Sequence, residues 1–308
     1  MSVQTDTASG GPVKASGSAF RDISLRRKLS NNLAWVIFGV CFVVALIPLV
    51  WLLETVISKG VGAITDPHWW FGDAYAIDTT SDYSAGVAHA IVGSVIQAGI
   101  ATIISVPIAV ITAVLLVEYP TNRLVKPVSF MIDILAGVPS IVATLFIFTV
   151  FVIGLGLGQS AFMVSLALIL MMVPIVTRSS EEMLKLVPDE LREASYALGI
   201  PKWKTVLRIV IPTALSGMLS GIFLAIARVM GETAPVLILA GPASSRVQTN
   251  PFSGGMESLP LFIKDMWASA QGASSFYYWG AALTLIIIIA VLNLIAALLA
   301  RYLAPKTK

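Results

Sequence analysis

The stretch ILAGVPSIVATLFIFTVFVIGLGLGQSAFMVSLALILMMVPIVT, residues 134–177, runs for 44 residues without one Asp, Glu, Lys or Arg. A bilayer crossing takes ~20 apolar residues in a helix, so this run is too long for one span and fits two. The division falls at GLGLGQS, residues 154–160, where three glycines in five positions break a helical pattern. Apolar runs of this length with no alternation argue against barrel strands. The rest of the chain agrees: 57% of its 308 residues are hydrophobic and 12% charged, where a soluble domain carries roughly 25% charged residues. One cysteine, a net charge of +3 and low polarity exclude a disulfide scaffold, a nucleic-acid module and a disordered chain.

Four further spans are predicted on either side of this run. Residues 33–53 are uncharged and follow a basic segment at 21–28. Their position and their exit into WLLETVISKG do not fit a cleaved secretory signal. Residues 83–119 are uncharged apart from Glu118, with a core at about 91–117. The fifth span runs from about Ile209 or Ala214 to Leu239 and holds Arg228 and Glu232; the sixth covers about 278–300. The expected fold is therefore an all-α integral membrane protein of six transmembrane helices, with a membrane domain at 29–304 and a disordered tail at 1–28.

Cations sort by loop. Residues 1–32, the pair Arg123 and Lys126, the segment 178–208 and the residues after 300 hold 16 of the 20 Lys and Arg side chains. Lys59, Arg246 and Lys264 fall on the other side, and Arg228 remains within a span. Cations accumulate on the cytoplasmic face, so both termini are expected inside the cell, in the cytoplasmic (inner) membrane.

The longest inner segment, RSSEEMLKLVPDELREASYALGIPKWKTVLRIVIP at 178–212, reads as three short elements. Pro188 and Asp189 open a helix whose first turns are acidic, Gly199 ends it, and Pro201 starts another that feeds span five. Leu191, Ala194, Ala197 and Leu198 share a helical face. A connection of this length and order exposes an apolar stripe that another subunit would cover.

Glu193, Ala194, Gly199, Ile209 and Pro212 resemble the EAA motif of the permease subunits of bacterial ABC importers: EAA, three residues, Gly, nine residues, then I-x-L-P. Ser195 stands for the second alanine and Ile211 for the leucine. DILAGVPSIV from Asp133, MMVPIVTRSSEEMLKLVP from Met171 and RVMGETAPVLILAG from Arg228 narrow the resemblance to phosphate importer permeases of the PstA type, over about residues 30–305. The resemblance implies a coupling loop at about 179–208 that enters a cleft of an ATP-binding subunit. It also implies four kinds of partner: a second homologous permease, two cytoplasmic P-loop ATPases carrying ATP and Mg, an extracytoplasmic phosphate-binding protein and the lipid bilayer.

Arg228 and Glu232, four residues apart in a membrane helix, read either as an ion pair that fixes packing or as an anion contact whose carboxylate limits how tightly the anion is held. Arg178, Glu181 and Glu182 lie at the inner end of span four as a solvated helix end or, by the resemblance, as the inner mouth of the path, with Arg178 a second anion contact. Asp133 is a weaker candidate. The chain has no GxxxxGK[ST] pattern, so ATP is expected on partners, and no cofactor is expected on this chain. His68 and His89 have no metal-ligand spacing, and the Trp69-Trp70-Phe71 run reads as an interfacial segment. No nucleophile and base stand together, so the chain is not expected to be an enzyme, and no nucleic acid is expected to bind. The alternatives are a permease for another oxyanion, such as sulfate or molybdate, and a non-conducting scaffold or sensor subunit.

Overall fold

The computed structural model describes residues 25–74, 85–242, 244–269 and 274–303. The tail expected at 1–28 lies largely outside the described residues, and residues 25–28 form the start of a helix. The described residues are helical and contain no strand: α1 (Leu25–Ile64), α2 (Pro67–Phe71), α3 (Ala88–Glu118), α4 (Val125–Gly137), α5 (Ser140–Ile147), α6 (Ala161–Lys185), α7 (Asp189–Ala197), α8 (Lys202–Thr205), α9 (Ile211–Met230), α10 (Ala234–Leu239), α11 (Leu259–Ala268) and α12 (Ser274–Leu303). A π-helical stretch at Phe148–Gly154 extends α5, and another at Val206–Val210 joins α8 to α9. Residues 1–54 and 55–308 form two units. Within the first, the large side chains Trp35, Phe38, Phe42 and Trp51 on α1 are exposed, as suits a helix immersed in lipid.

Among the described residues, five helical stretches are long and apolar enough to cross a membrane: those of α1, α3, α6, α8 with α9, and α12. The predicted third span departs from a straight crossing. Its residues form α4 and α5 with its π extension, bent by 106° at the junction, and this pair makes a sixth span only when counted as one. Proline explains the bend. Pro139 has no N–H, and its ring pushes Val138 out of the helical region to φ −73°, ψ 125°. The predicted divider at 154–160 does separate α5 from α6, whose first turn Ser160 caps by accepting from the Met163 N–H at 3.4 Å.

In the second unit, α6 is the central helix, packed against α3, α4, α5, α9 and α10. Small residues allow this closeness: Ala98, Ala101 and Ala109 of α3 meet Ala167, Leu168 and Met172 of α6 in the main apolar core. A second core joins the end of α1 to α2, α3, α11 and α12 around Trp69, Phe262 and Tyr277. Within the aromatic run at 69–71, Trp69 is a core residue. It is buried, its indole N–H donates to the Thr284 hydroxyl at 2.9 Å, and Phe71 alone of the three aromatics is exposed.

A buried polar knot fixes the start of α3 to the segment leading into α11. His89 Nε2 lies 3.2 Å from Glu257 Oε2, the Gln97 amide donates to the Met256 carbonyl at 3.0 Å, and the Leu259 N–H donates to Ser94 Oγ at 2.9 Å. The approach requires Gly93, where a Cβ would stand 1.9 Å from the Glu257 carbonyl oxygen. Gly93→Ala must therefore push two backbones apart, and we expect a loss of about 1–3 kcal/mol. Gly99→Ala on the same helix meets nothing within 4 Å and should be neutral or stabilising by up to ~1 kcal/mol. Thermal unfolding of the two variants in detergent, followed by tryptophan fluorescence, checks the contrast.

Candidate functional site

The predicted fifth span is two helices. α9 stops at Met230, Gly231 and Glu232 close its end by donating to the Arg228 and Val229 carbonyls at 3.1 and 3.2 Å, and α10 starts at Ala234 with Pro235 in its first turn. The expected Arg228 to Glu232 spacing along one face therefore does not exist, because the helix ends between them. Arg228 is exposed in the last turn of α9, with no ion pair or side-chain hydrogen bond among the described residues. Ser216, Ser220 and Leu224 precede it at steps of four along the same side, and Ser220 and Leu224 are exposed.

Glu232 turns elsewhere. It is half-buried and lines a small cavity with Ser94 and Gln97 of α3, Leu168 of α6 and Ser258, the residue before α11. The Ser258 hydroxyl is buried there without a hydrogen-bond partner. Glu232 shares this cavity with hydroxyl and amide groups without a hydrogen bond to them, and among the described residues it does not neutralise the guanidinium of Arg228.

Arg178 is already engaged. One of its terminal nitrogens donates to Glu181 at 2.5 Å, and the other donates to Ser129 Oγ at 3.0 Å and to the Asp133 carboxylate. Lys185 completes the cluster by donating to Glu181 at 2.7 Å. The structure therefore brings Arg178, Glu181 and Asp133 together and binds α4 to α6 through them. An anion reaching Arg178 must displace a carboxylate that is already there.

The segment 178–212 contains the expected short helices. α7 opens after Pro188 with Asp189 and Glu190 in its first turn and ends at Gly199, whose φ of +72° suits a residue without a Cβ. Its burial pattern is unusual. The buried residue is Ser195, whose hydroxyl is 2.8 Å from that of Thr205 in α8, while Glu193, Ala194, Leu191, Tyr196 and Leu198 are exposed. Leu198, 78% exposed, is a bare apolar side chain at the end of a polar helix. Ile209 lies in the π-helical stretch and Pro212 in the first turn of α9. Pro212 cannot donate the next intrahelical bond, and the Ile211 N–H reaches back five residues to the Val206 carbonyl.

Two residues not singled out in the sequence anchor this segment. The Arg192 guanidinium donates to Glu118 Oε1 at 3.0 and 3.1 Å, to the Leu184 carbonyl at 3.0 Å, to the Val187 carbonyl at 2.6 Å and to Asp189 at 3.0 Å. Lys202 donates to the Glu118 carbonyl and lies 4.7 Å from the Tyr119 ring centroid. The signal available in the sequence was Glu118 itself, the one charge in residues 83–119.

Residues 105–308 match the family model described as "Binding-protein-dependent transport system inner membrane component". The chain is 51% identical over 289 residues to phosphate transport system permease protein PstA 1 of Mycobacterium tuberculosis (strain ATCC 25618 / H37Rv), covering 94% of this chain and 93% of that one. It is 51% identical to PstA of Mycobacterium leprae (strain TN), covering 96% and 95%, and 36% identical to PstA of Xylella fastidiosa (strain Temecula1 / ATCC 700964), covering 94% and 99%. Two solved structures share the fold: a bacterial ABC transporter involved in alginate import, with a TM-score of 0.63 at 13% identity over 92% of this chain and 100% of that one, and the MetNI methionine ABC transporter, with 0.55 at 18% over 71% and 94%. A bent third span, a broken fifth span, an ordered loop carrying the EAA-like residues and this extent of identity agree: the chain is a multi-pass membrane protein that belongs to the PstA family of ABC transporter permease subunits.

Proposed function

We propose that this chain forms part of the path by which inorganic phosphate crosses the cytoplasmic membrane, with transport driven by ATP hydrolysis on partner subunits. The observation that carries the reading is the free guanidinium of Arg228 in the last turn of an apolar helix. A cation in hydrocarbon costs about 2.5–3.5 kcal/mol or more, so Arg228 belongs on a surface that water, an anion or another subunit covers. A guanidinium fork matches the oxygens of phosphate, and Ser216 and Ser220 lie on the same side of α9, separated from Arg228 by the exposed Leu224. Relatives named for phosphate transport at 51% identity support the choice of anion.

The sequence of events follows from these residues. An extracytoplasmic binding protein delivers phosphate, Arg228 meets it while Glu232 stays turned toward Ser94, Gln97 and Ser258, and one guanidinium holds it loosely enough for release. At Arg178 the anion competes with Asp133 and Glu181, so its stay there is brief. A second homologous permease supplies the opposite wall. The exposed face of α7 with Leu191, Tyr196 and Leu198 docks in a cleft of one of two P-loop ATPases, which carry ATP and Mg. The bent pair of α4 and α5, counted as one crossing, gives six, and an even number together with the cation distribution supports a cytoplasmic position for both termini.

Two outcomes test the reading in the assembled complex in proteoliposomes. Arg228→Ala should assemble normally and lower phosphate uptake by about 10- to 100-fold, the worth of a charge-assisted hydrogen bond or two, with Arg228→Lys intermediate. Uptake at the unmodified rate would remove Arg228 from the path, and equal uptake of labelled sulfate by the unmodified complex would remove phosphate selectivity. Leu198→Asp should reduce copurification of the ATPase subunits by about tenfold, a loss of ~1.4 kcal/mol, while leaving the membrane helices folded.

A further inference from the structure

Glu118 and Arg192 lie outside the residues that face the anion or the exposed surface of α7. Glu118 is the last residue of α3 and is 4% exposed, and its carboxylate accepts two N–H groups from the one guanidinium. Arg192 also donates to the Leu184 carbonyl in the last turn of α6, which already receives the Val187 N–H at 3.3 Å, and to the Val187 carbonyl just beyond that helix. The same fork therefore touches α3, α6 and α7. Lys202 adds α8 by donating to the backbone oxygen of Glu118, a cation at a helix C-terminus, and the Ser195 to Thr205 contact closes α7 on α8.

The chain itself links the loop to α6 on one side and to α9 on the other, whereas α3 ends 70 residues before the start of α7, far from it in sequence. Arg192 and Lys202 are the polar attachments between the loop and the end of α3 among the described residues. From Glu118, α3 runs back 21 residues to Gln97, about 32 Å at 1.5 Å per residue. There Ser94 and Gln97 line the cavity that holds Glu232, and the same two side chains hold the entrance to α11.

We propose that the Glu118–Arg192 pair is a force-bearing joint. It makes the loop and the inner end of α3 move as one piece, so that a stroke on α7 is delivered along α3 to the cavity of Glu232. Arg192 is a positioning residue in this role and touches no transported ion. The proposal rests on the reading of α7 as the surface on which an ATPase acts. A fork is required, because one group must hold a carboxylate on α3, a carbonyl in the last turn of α6 and the Val187 carbonyl beyond it at once, and an ammonium holds them with less directional constraint.

The test uses the chain assembled with its permease and ATPase partners in proteoliposomes, in a Cys41→Ser background. Spin labels at the exposed positions Thr121 and Glu190 report the separation of the α3 end from α7, and phosphate moved per ATP hydrolysed reports coupling. In the unmodified complex the label distance should hold when ATP is added and trapped; a change of about 5 Å, one helical turn, would overturn the joint. Arg192→Lys and Glu118→Gln should still copurify with the ATPases and hydrolyse ATP, with a broadened label distance and phosphate per ATP lowered about tenfold. Where Glu118→Gln fails to assemble, Arg192→Lys, which keeps the charge, decides: an unmodified distance and coupling ratio in that variant would overturn the proposal. An unmodified complex that hydrolyses ATP and moves no phosphate would overturn the choice of substrate, and the label distances would still decide the joint.

Discussion

An unpaired backbone N–H or carbonyl inside hydrocarbon costs several kcal/mol, and each break in this helical chain is built around that cost. At the 106° bend, the Val138 N–H returns to the Leu135 carbonyl, and the Pro139 carbonyl receives Val142 and Ala143. Beyond the π stretch, Leu155 and Leu157 return to Val150 and Phe151. The broken third and fifth spans then cover one another: the Ser160 N–H donates to the Leu239 carbonyl at 2.8 Å, and the Gln159 amide donates to the Ile238 carbonyl at 2.6 Å. The irregular segments are neighbours because each supplies what the other lacks. Moving one of them alone would strip carbonyls bare, so a change at the end of α10 has to be shared with the segment before α6.

The same logic governs the charged groups, with a different outcome at each end of α3. At its start, His89 and Glu257 are buried against each other beside Phe262, and the hydroxyl and amide of Ser94 and Gln97 serve the backbone around α11. At its end, Glu118 is enclosed by Arg192 and Lys202. Between these knots α3 presents alanines to α6, a smooth apolar surface with no polar interlock as strong as those at its ends. The helix is pinned at both ends by buried polar groups and packed along its length by small side chains, with Pro107, which gives no N–H to the ladder, as the one proline in its interior.

Much of this was legible in the sequence. Charge-free runs gave the positions of the long helices because burying a charge in lipid is so costly that composition alone marks a span. The loop at 178–212 was legible because prolines, acidic first turns and Gly199 are local signals that act through their own backbone. The bend at Val138 had a signal in Pro139, but its angle depends on how α4 and α5 pack on α6. The end of α9 at Met230 was missed. Gly231 and Pro235 flag a loosened helix, and whether they bend or end it depends on packing against residues far away in sequence, such as those of α3 and the residue before α11 that line the cavity beside Glu232. The pairing of Glu118 with Arg192 has the same character: each residue is visible, and their meeting depends on tertiary structure.

The end of α9 also decides what Arg228 and Glu232 can do. Had the helix continued, the two would have stood one turn apart and neutralised each other, and an incoming anion would have had to compete with a tethered carboxylate. Stopping the helix after Met230 places Glu232 at the cavity lined by Ser94, Gln97 and Ser258 and leaves Arg228 with its full charge on an exposed side of α9. Asp133 and Glu181 do the reverse at Arg178, where two carboxylates hold one guanidinium. Of the two arginines proposed as anion contacts, Arg228 is open and Arg178 is occupied. In the proposed path, an anion attracted by the first would meet a second that yields only by exchange, a difference that suits a path admitting phosphate without trapping it.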